Sequence, residues 1–169
     1  MRKHIFKYGI LFGVTLTIYS FILYLNGYYV DQDVMHLIFL IFLTVGNISL
    51  GLVKFKNYND GYISILEALK IGVGISIIGG LVVSLWEILL LHVIDPEVMN
   101  QLKEHSFKKI AETSTDFTKQ DMDGQIEFIN KIKSPIIMLI SALVEDIFIG
   151  FLFSLIGGLI IRKKRDPFN

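Results

Sequence analysis

The chain has 169 residues, 53% of them hydrophobic, and its 16 basic side chains are balanced by 16 acidic ones. That length has room for about one domain. Zero net charge argues against a nucleic-acid-binding face, the apolar content is too high for disorder, and the lack of cysteine rules out disulfides, thiolate metal sites and cysteine nucleophiles.

The distribution of the charges decides the class. They leave four stretches almost uncharged, residues 8–30, 34–53, 71–94 and 135–161. At about 1.5 Å of rise per residue, each can cross the roughly 30 Å hydrocarbon layer as a helix. The expected fold is all-α, an integral membrane four-helix bundle forming a single domain over residues 1–169, with the lipid bilayer as its first partner.

The first stretch follows Arg2, Lys3 and Lys7 and has no small-residue cleavage pair at its end, so it reads as an anchor rather than a removable signal. The second carries His36 and Asn47. Between the second and third, Tyr62, Ile65, Leu66 and Leu69 form a short amphipathic stretch, either lying at the interface or forming the first turns of span three. The third contains Glu87. Residues 95–134 form an insertion in which Asp95 and Pro96 read as an N-cap and first-turn pair, followed by Met99, Leu102, Ser106 and Ile110 at helical spacing. A second short helix is expected around Met122, Ile126, Ile129 and Ile132, which makes the insertion a helical hairpin. The fourth stretch begins at Pro135 and contains Glu145 and Asp146.

Orientation follows from lysine and arginine near the helix ends, which stay on the cytoplasmic side. The flank before span one, the segment 54–70 and the tail Arg162–Arg165 are basic, whereas the turn at Asp31 and Asp33 has no basic residue. Both termini are therefore expected in the cytoplasm. Residues 95–134, with six lysines against eight acids, are then extracytoplasmic.

Two stretches repeat one pattern. Gly72, Ser76, Gly80 and Ser84 share one stripe of span three, and Asp146, Gly150, Ser154 and Gly158 share one stripe of span four. Small residues let membrane helices approach closely, so spans three and four are expected to pack through this seam. Taking the outer ends as Ile94 and Pro135 pairs Gly72 with Gly158, Ser76 with Ser154, Gly80 with Gly150 and Ser84 with Asp146. The seam can also mate with a second copy of the chain.

Lys7, Tyr8 and Gly9 with Gly13, Gly61–Ser64 followed by Glu67–Gly72, the Ile94–Pro96 exit, Glu145, and the ending Gly157–Lys164 resemble domain of unknown function 4199. The resemblance covers nearly the whole chain. It implies a small four-span protein of a Gram-negative inner membrane with a variable outer segment, and it brings no catalytic set.

Acids inside a bilayer are the natural candidates for function, because an ionised carboxylate there costs a few kcal/mol or more. Asp146 lies about 16 Å from the start of span four and Glu87 about 10 Å from the end of span three. Glu145 points about 100° away from Asp146 around the helix. No lysine or arginine shares that depth. Glu87, Glu145 and Asp146, with Asn47, form either a proton or cation site, or a set of proton-bearing carboxyls that hold helices together by donating hydrogen bonds. His36 and His92 fall near acids at the outer surface without the spacing of a ligand motif, so no metal is expected, and no cofactor motif is present. A nucleophile elbow, a zinc-protease helix, a phosphate loop and a dinucleotide fingerprint are all absent, so no catalytic residue is assigned. The sequence reading is a structural or accessory subunit of a membrane complex, self-associating or bound to another membrane protein. The alternative is an oligomeric proton- or cation-linked transporter or channel.

Overall fold

The computed structural model describes residues 1–31, 33–113 and 134–163. Its helices are α1 (Arg2–Leu25), α2 (Val34–Tyr58), α3 (Ile65–Leu89), α4 (Pro96–Thr113) and α5 (Pro135–Ile161), and a π-helical turn, Leu90–Ile94, prolongs α3. Among the described residues four helical runs, Arg2–Leu25, Val34–Tyr58, Ile65–Ile94 and Pro135–Ile161, are long and apolar enough to cross a membrane. They fit a multi-pass membrane protein. The second helix expected in the 95–134 insertion lies outside the described residues.

Local chemistry sets the boundaries. α1 starts at Arg2 rather than at residue 8 and stops at Leu25 rather than at residue 30. The stop is a Schellman motif. Gly27 takes a positive φ of 75°, its N–H donates to Tyr24 O, and the Tyr28 N–H donates to Leu23 O at 2.9 Å. α2 opens on Asp33, whose side chain accepts from the His36 backbone N–H. The amphipathic stretch before span three forms the first turns of α3. Ser64 and Glu67 make a reciprocal capping box there, which starts the helix at Ile65. α4 starts at Pro96, while the Asp95 carboxylate accepts a hydrogen bond from Tyr24 Oη at 3.0 Å and so ties α4 to the end of α1.

α3 is the hub. It packs against α1, α2 and α5; α1 also meets α2, and α2 meets α5, while α1 and α5 make no contact among the described residues. At the end of the bundle that holds the start of α1 and the end of α5, Phe12, Ile48, Leu52, Ile71 and Ile75 form a buried apolar core. At the opposite end, Leu91, Val98 and Met99 pack with Tyr24, Tyr29 and Leu102 to form a lid of α4 over the bundle.

α3 and α5 meet through the small-residue stripes, in a register one helical turn from the expected one. Gly72 lies against Ser154, Ser76 against Gly150, Gly80 against the Asp146 carboxyl, and Ala68 against Gly158. All four expected pairs, Gly72 with Gly158, Ser76 with Ser154, Gly80 with Gly150 and Ser84 with Asp146, are therefore corrected. Equating the outer ends at Ile94 and Pro135 caused the error, because α3 with its π turn runs further out than α5. The register is pinned at the other end, where Ile63 and Lys163 exchange backbone hydrogen bonds of 3.1 and 3.0 Å. The residue numbers of that bridge and of each observed pair add to the same total, so the bridge and the seam share one register.

Candidate functional site

Towards the α4 end the seam no longer closes. Continuing its register sets Ser84 of α3 opposite Ala142 of α5, and two such small side chains cannot fill the space between helix backbones. A cavity of about 380 Å³ occupies the gap, lined in part by Gly80, Ser84, Ala142 and Asp146. α1 contributes Tyr19 and Ser20, α2 contributes Leu40 and Thr44, and Tyr29 and Leu102 close it from the α4 side. The lid cluster therefore forms the roof of the cavity.

The structure brings Glu87, Glu145 and Asp146 to this cavity. Asp146 stands over Gly80 because a glycine there leaves room for its carboxyl, and one of its oxygens, Oδ2, is buried without a hydrogen-bond partner. Glu87 reaches the space from α3, one turn beyond Ser84. Glu145 sits at the edge and is exposed on the outer surface of α5, so it marks the mouth. Asn47 is not part of the group. Its side-chain amide donates to Leu43 O at 2.8 Å on its own helix, where a polar group in an apolar span finds a partner without crossing to another element.

The seam residues divide between two roles. Gly72, Ser76, Gly150, Ser154 and Gly158 give close approach, with the Ser154 hydroxyl turned back to Gly150 O on its own helix. Gly80 and Ser84 belong to the cavity wall. Ser84 is 4% exposed and makes no hydrogen bond to a described residue. Thr44, also buried, is satisfied by donating to Leu40 O at 2.9 Å.

Sequence reasoning missed the aromatic and hydroxyl half of the site. Tyr19 Oη lies 3.1 Å from His36 Nδ1, which ties α1 to the start of α2. Trp86 Nε1 donates to Ser20 Oγ at 3.1 Å, joining α3 to α1 beside the cavity. Burial pushes the Tyr29 phenol up, the Glu87 carboxylate adds to that shift and a hydrogen bond with Ser20 opposes it. The Tyr29 hydroxyl therefore remains a neutral group. The signal for these residues was their polarity inside otherwise apolar helices, but each taken singly reads as an ordinary interfacial or self-satisfied side chain.

The histidines are engaged locally. His36 faces Asp33 at 3.9 Å, His105 faces Asp31 at 3.6 Å, and His92 Nδ1 lies 3.2 Å from Ile88 O. His4 bridges α1 to α2 through Gly51 O at 2.8 Å, a tie with no signal in the sequence. Among the described residues no group of three histidine, aspartate or glutamate side chains is placed to hold a metal ion.

Among the described residues, the wall of this cavity between the four apolar helices carries three acids and no lysine, arginine or histidine. The family model described as protein of unknown function (DUF4199) matches residues 7–163. The chain belongs to this family. The match takes in the four apolar helices of the DUF4199 chain, the first of them from Lys7 onward, and every residue of the cavity. Neither a curated protein nor a solved structure matches it. The family's description assigns no activity, so the function of this DUF4199 protein must be read from the site itself.

Proposed function

We propose that this protein is an inner-membrane cation-binding protein, with both termini in the cytoplasm, that takes up a cation or proton at Glu87 and Asp146 and works as an oligomer or within a membrane complex. The observation that carries the reading is the cavity. The Glu87 and Asp146 side chains line one cavity with Glu145 at its edge, and Asp146 Oδ2 is buried there without a hydrogen-bond partner; acids persist at depth in a bilayer chiefly where they serve an ion or proton path. The orientation is supported by Lys3, Lys7, Lys54 and Lys163 at the end holding the termini, against Asp31 and Asp33 at the other.

The test is reconstitution of the full chain in proteoliposomes with a pH-sensitive dye inside. A cation- or proton-dependent signal that is lost in Asp146→Asn, with the helical circular dichroism retained, is the expected result. No flux, or the same flux in the variant, refutes the transport reading.

One observation supports the accessory-subunit reading beside it. α5 is the least covered of the four long helices and presents Glu145 on its open face together with Val144 and Phe148. A carboxylate there is costly against lipid, and a neighbouring protein would remove that cost. Purification in a mild detergent should then yield a co-purifying membrane protein or a second copy, and the interaction should weaken in Glu145→Gln. A monodisperse single chain would refute it.

A further inference from the structure

The cavity is larger than a bare ion needs. Its volume of about 380 Å³ falls at the low end of the range for small-molecule sites, about 300–1,000 Å³. A hard metal cation requires several oxygens converging on one point, and among the described residues no three histidine, aspartate or glutamate side chains converge in that way. The carboxyls are instead spread along the wall. Asp146 projects from α5 over Gly80, Glu87 comes from α3, and Glu145 stands at the mouth. The rest of the wall is mostly apolar and aromatic, with Phe12, Leu16, Val83, Leu91, Met138 and Ile149 surrounding the acids.

Thr17 Oγ1 and Ser76 Oγ are buried without a partner away from the cavity, and two polar groups on its wall are without a mate among the described residues. The Asp146 Oδ2 atom is buried and unpartnered. Independently, the Ser84 hydroxyl lines the cavity while its residue is 4% exposed, and it has no hydrogen bond to any described residue. A buried polar group costs free energy unless it finds a partner. Thr44 on the opposite wall avoids that cost by bonding its own helix. Ser84 does not, so its hydroxyl remains available to whatever occupies the space.

We propose that the cavity binds a small organic cation with an apolar body, an alkyl- or arylammonium compound. Its charge lies between Asp146 and Glu87, and its body lies against the apolar wall and the Tyr19 and Tyr29 rings. This rests on the cation-site reading above and gives it a ligand class. The ammonium answers the buried, unpartnered Asp146 Oδ2 by charge, and a bound water answers the Ser84 hydroxyl. An anion is rejected by the three acids. A purely apolar molecule leaves Asp146 and Ser84 unpaired.

The experiment uses the full chain in lipid nanodiscs and reads the single tryptophan, Trp86, whose ring N–H bonds Ser20 on the cavity wall. Three probes are titrated: benzyltrimethylammonium, neutral benzyl alcohol and sodium ion. Saturable binding of benzyltrimethylammonium at one per chain is expected, with a change in Trp86 emission, and benzyl alcohol and sodium should give no saturable signal. Asp146→Asn and Glu87→Gln should each weaken binding at least about tenfold. Leu102→Trp, which fills the cavity from α4 and keeps both acids, should abolish it, as measured by calorimetry, and this variant keeps the test decisive if an acid variant does not fold. Equal binding of benzyl alcohol, or unchanged affinity in Leu102→Trp, overturns the ligand class. Sodium binding or proton flux dependent on Asp146, without benzyltrimethylammonium binding, overturns the ligand class and leaves the cation-site reading standing. Failure of every cation to bind, with no flux, overturns both.

Discussion

Replacing Gly150 with alanine tests whether α3 and α5 touch backbone to backbone. A Cβ at Gly150 would lie 2.8 Å from Ser76 Cβ and 3.0 Å from Val73 Cα. Two carbons meet comfortably at about 3.5–4.0 Å, so the helices would have to separate by roughly 0.5–1 Å. Val73 Cα is backbone and cannot rotate away, and the Ile63–Lys163 bridge resists sliding. Overpacking of this kind costs about 1–3 kcal/mol. Against it stands a gain of about 1 kcal/mol for removing a glycine from a helix interior. Gly46, in the interior of α2, isolates that gain because a Cβ there meets nothing within 4 Å. Gly46→Ala should therefore stabilise by about 1 kcal/mol, and Gly150→Ala should fall below it by about 1–3 kcal/mol. The difference between the two variants cancels the helix propensity and the detergent reference. The assay is unfolding in mixed micelles of rising sodium dodecyl sulfate fraction, followed by circular dichroism. If Gly150→Ala is as stable as Gly46→Ala, the seam is not close-packed and the register derived from it fails.

Two further outcomes check the frame around the site. Tyr24→Phe removes the 3.0 Å hydrogen bond to Asp95 that holds α4 over the cavity, so trypsin should cut α4 at Lys103 and Lys108 faster than in the parent chain, and an unchanged digestion rate would show that the lid is held by other contacts. Because the chain has no cysteine, Asn57→Cys and Asn100→Cys, both at exposed positions, are unique labels. In intact cells a membrane-impermeant maleimide should reach position 100 and not position 57, and the reverse pattern would invert the proposed orientation.

The four crossings were legible because they depend on length and the absence of charge, which any bilayer-spanning helix must satisfy. Residues packed against α1 were harder to see. Gly9 and Gly13 receive Ile78 and Val82, and Gly79 receives Phe12, so that interface sets bulky side chains into glycine hollows and shows no matching small-residue stripe in the two helices. The stripes of α3 and α5 were legible, but a period of four is unchanged by a slide of one turn. Composition alone cannot choose between two registers that differ by that step. The choice is made by the Ile63–Lys163 bridge, far along the chain from the central glycines. The end of α1 was written in Asn26 and Gly27, and hydropathy continued past it because Tyr28, Tyr29 and Val30 are themselves apolar enough to extend the run. Asn47 was misplaced for a related reason. A polar residue in an apolar helix suggests a partner on another helix, yet the carbonyl one turn back is always within reach.

The one-turn difference in register has a consequence for function. In the expected alignment Ser84 would face Asp146, and the serine hydroxyl would answer the carboxyl directly. In the observed alignment Asp146 drops to Gly80, and Ser84 faces towards Ala142, leaving both polar groups short of partners around an open volume. The same seam thus closes tightly near the termini, where Gly72, Ser76, Gly150 and Ser154 interlock, and opens near α4, where small side chains meet without interlocking. Closed packing at one end fixes the helices rigidly enough to hold the other end apart, because a dense interface resists the collapse that would otherwise fill a void. A bundle selected only for stability would place Leu or Ile at 84 or 142 and gain the lost contacts. A serine and an alanine there leave open, beside acid side chains, a volume that larger apolar side chains would close.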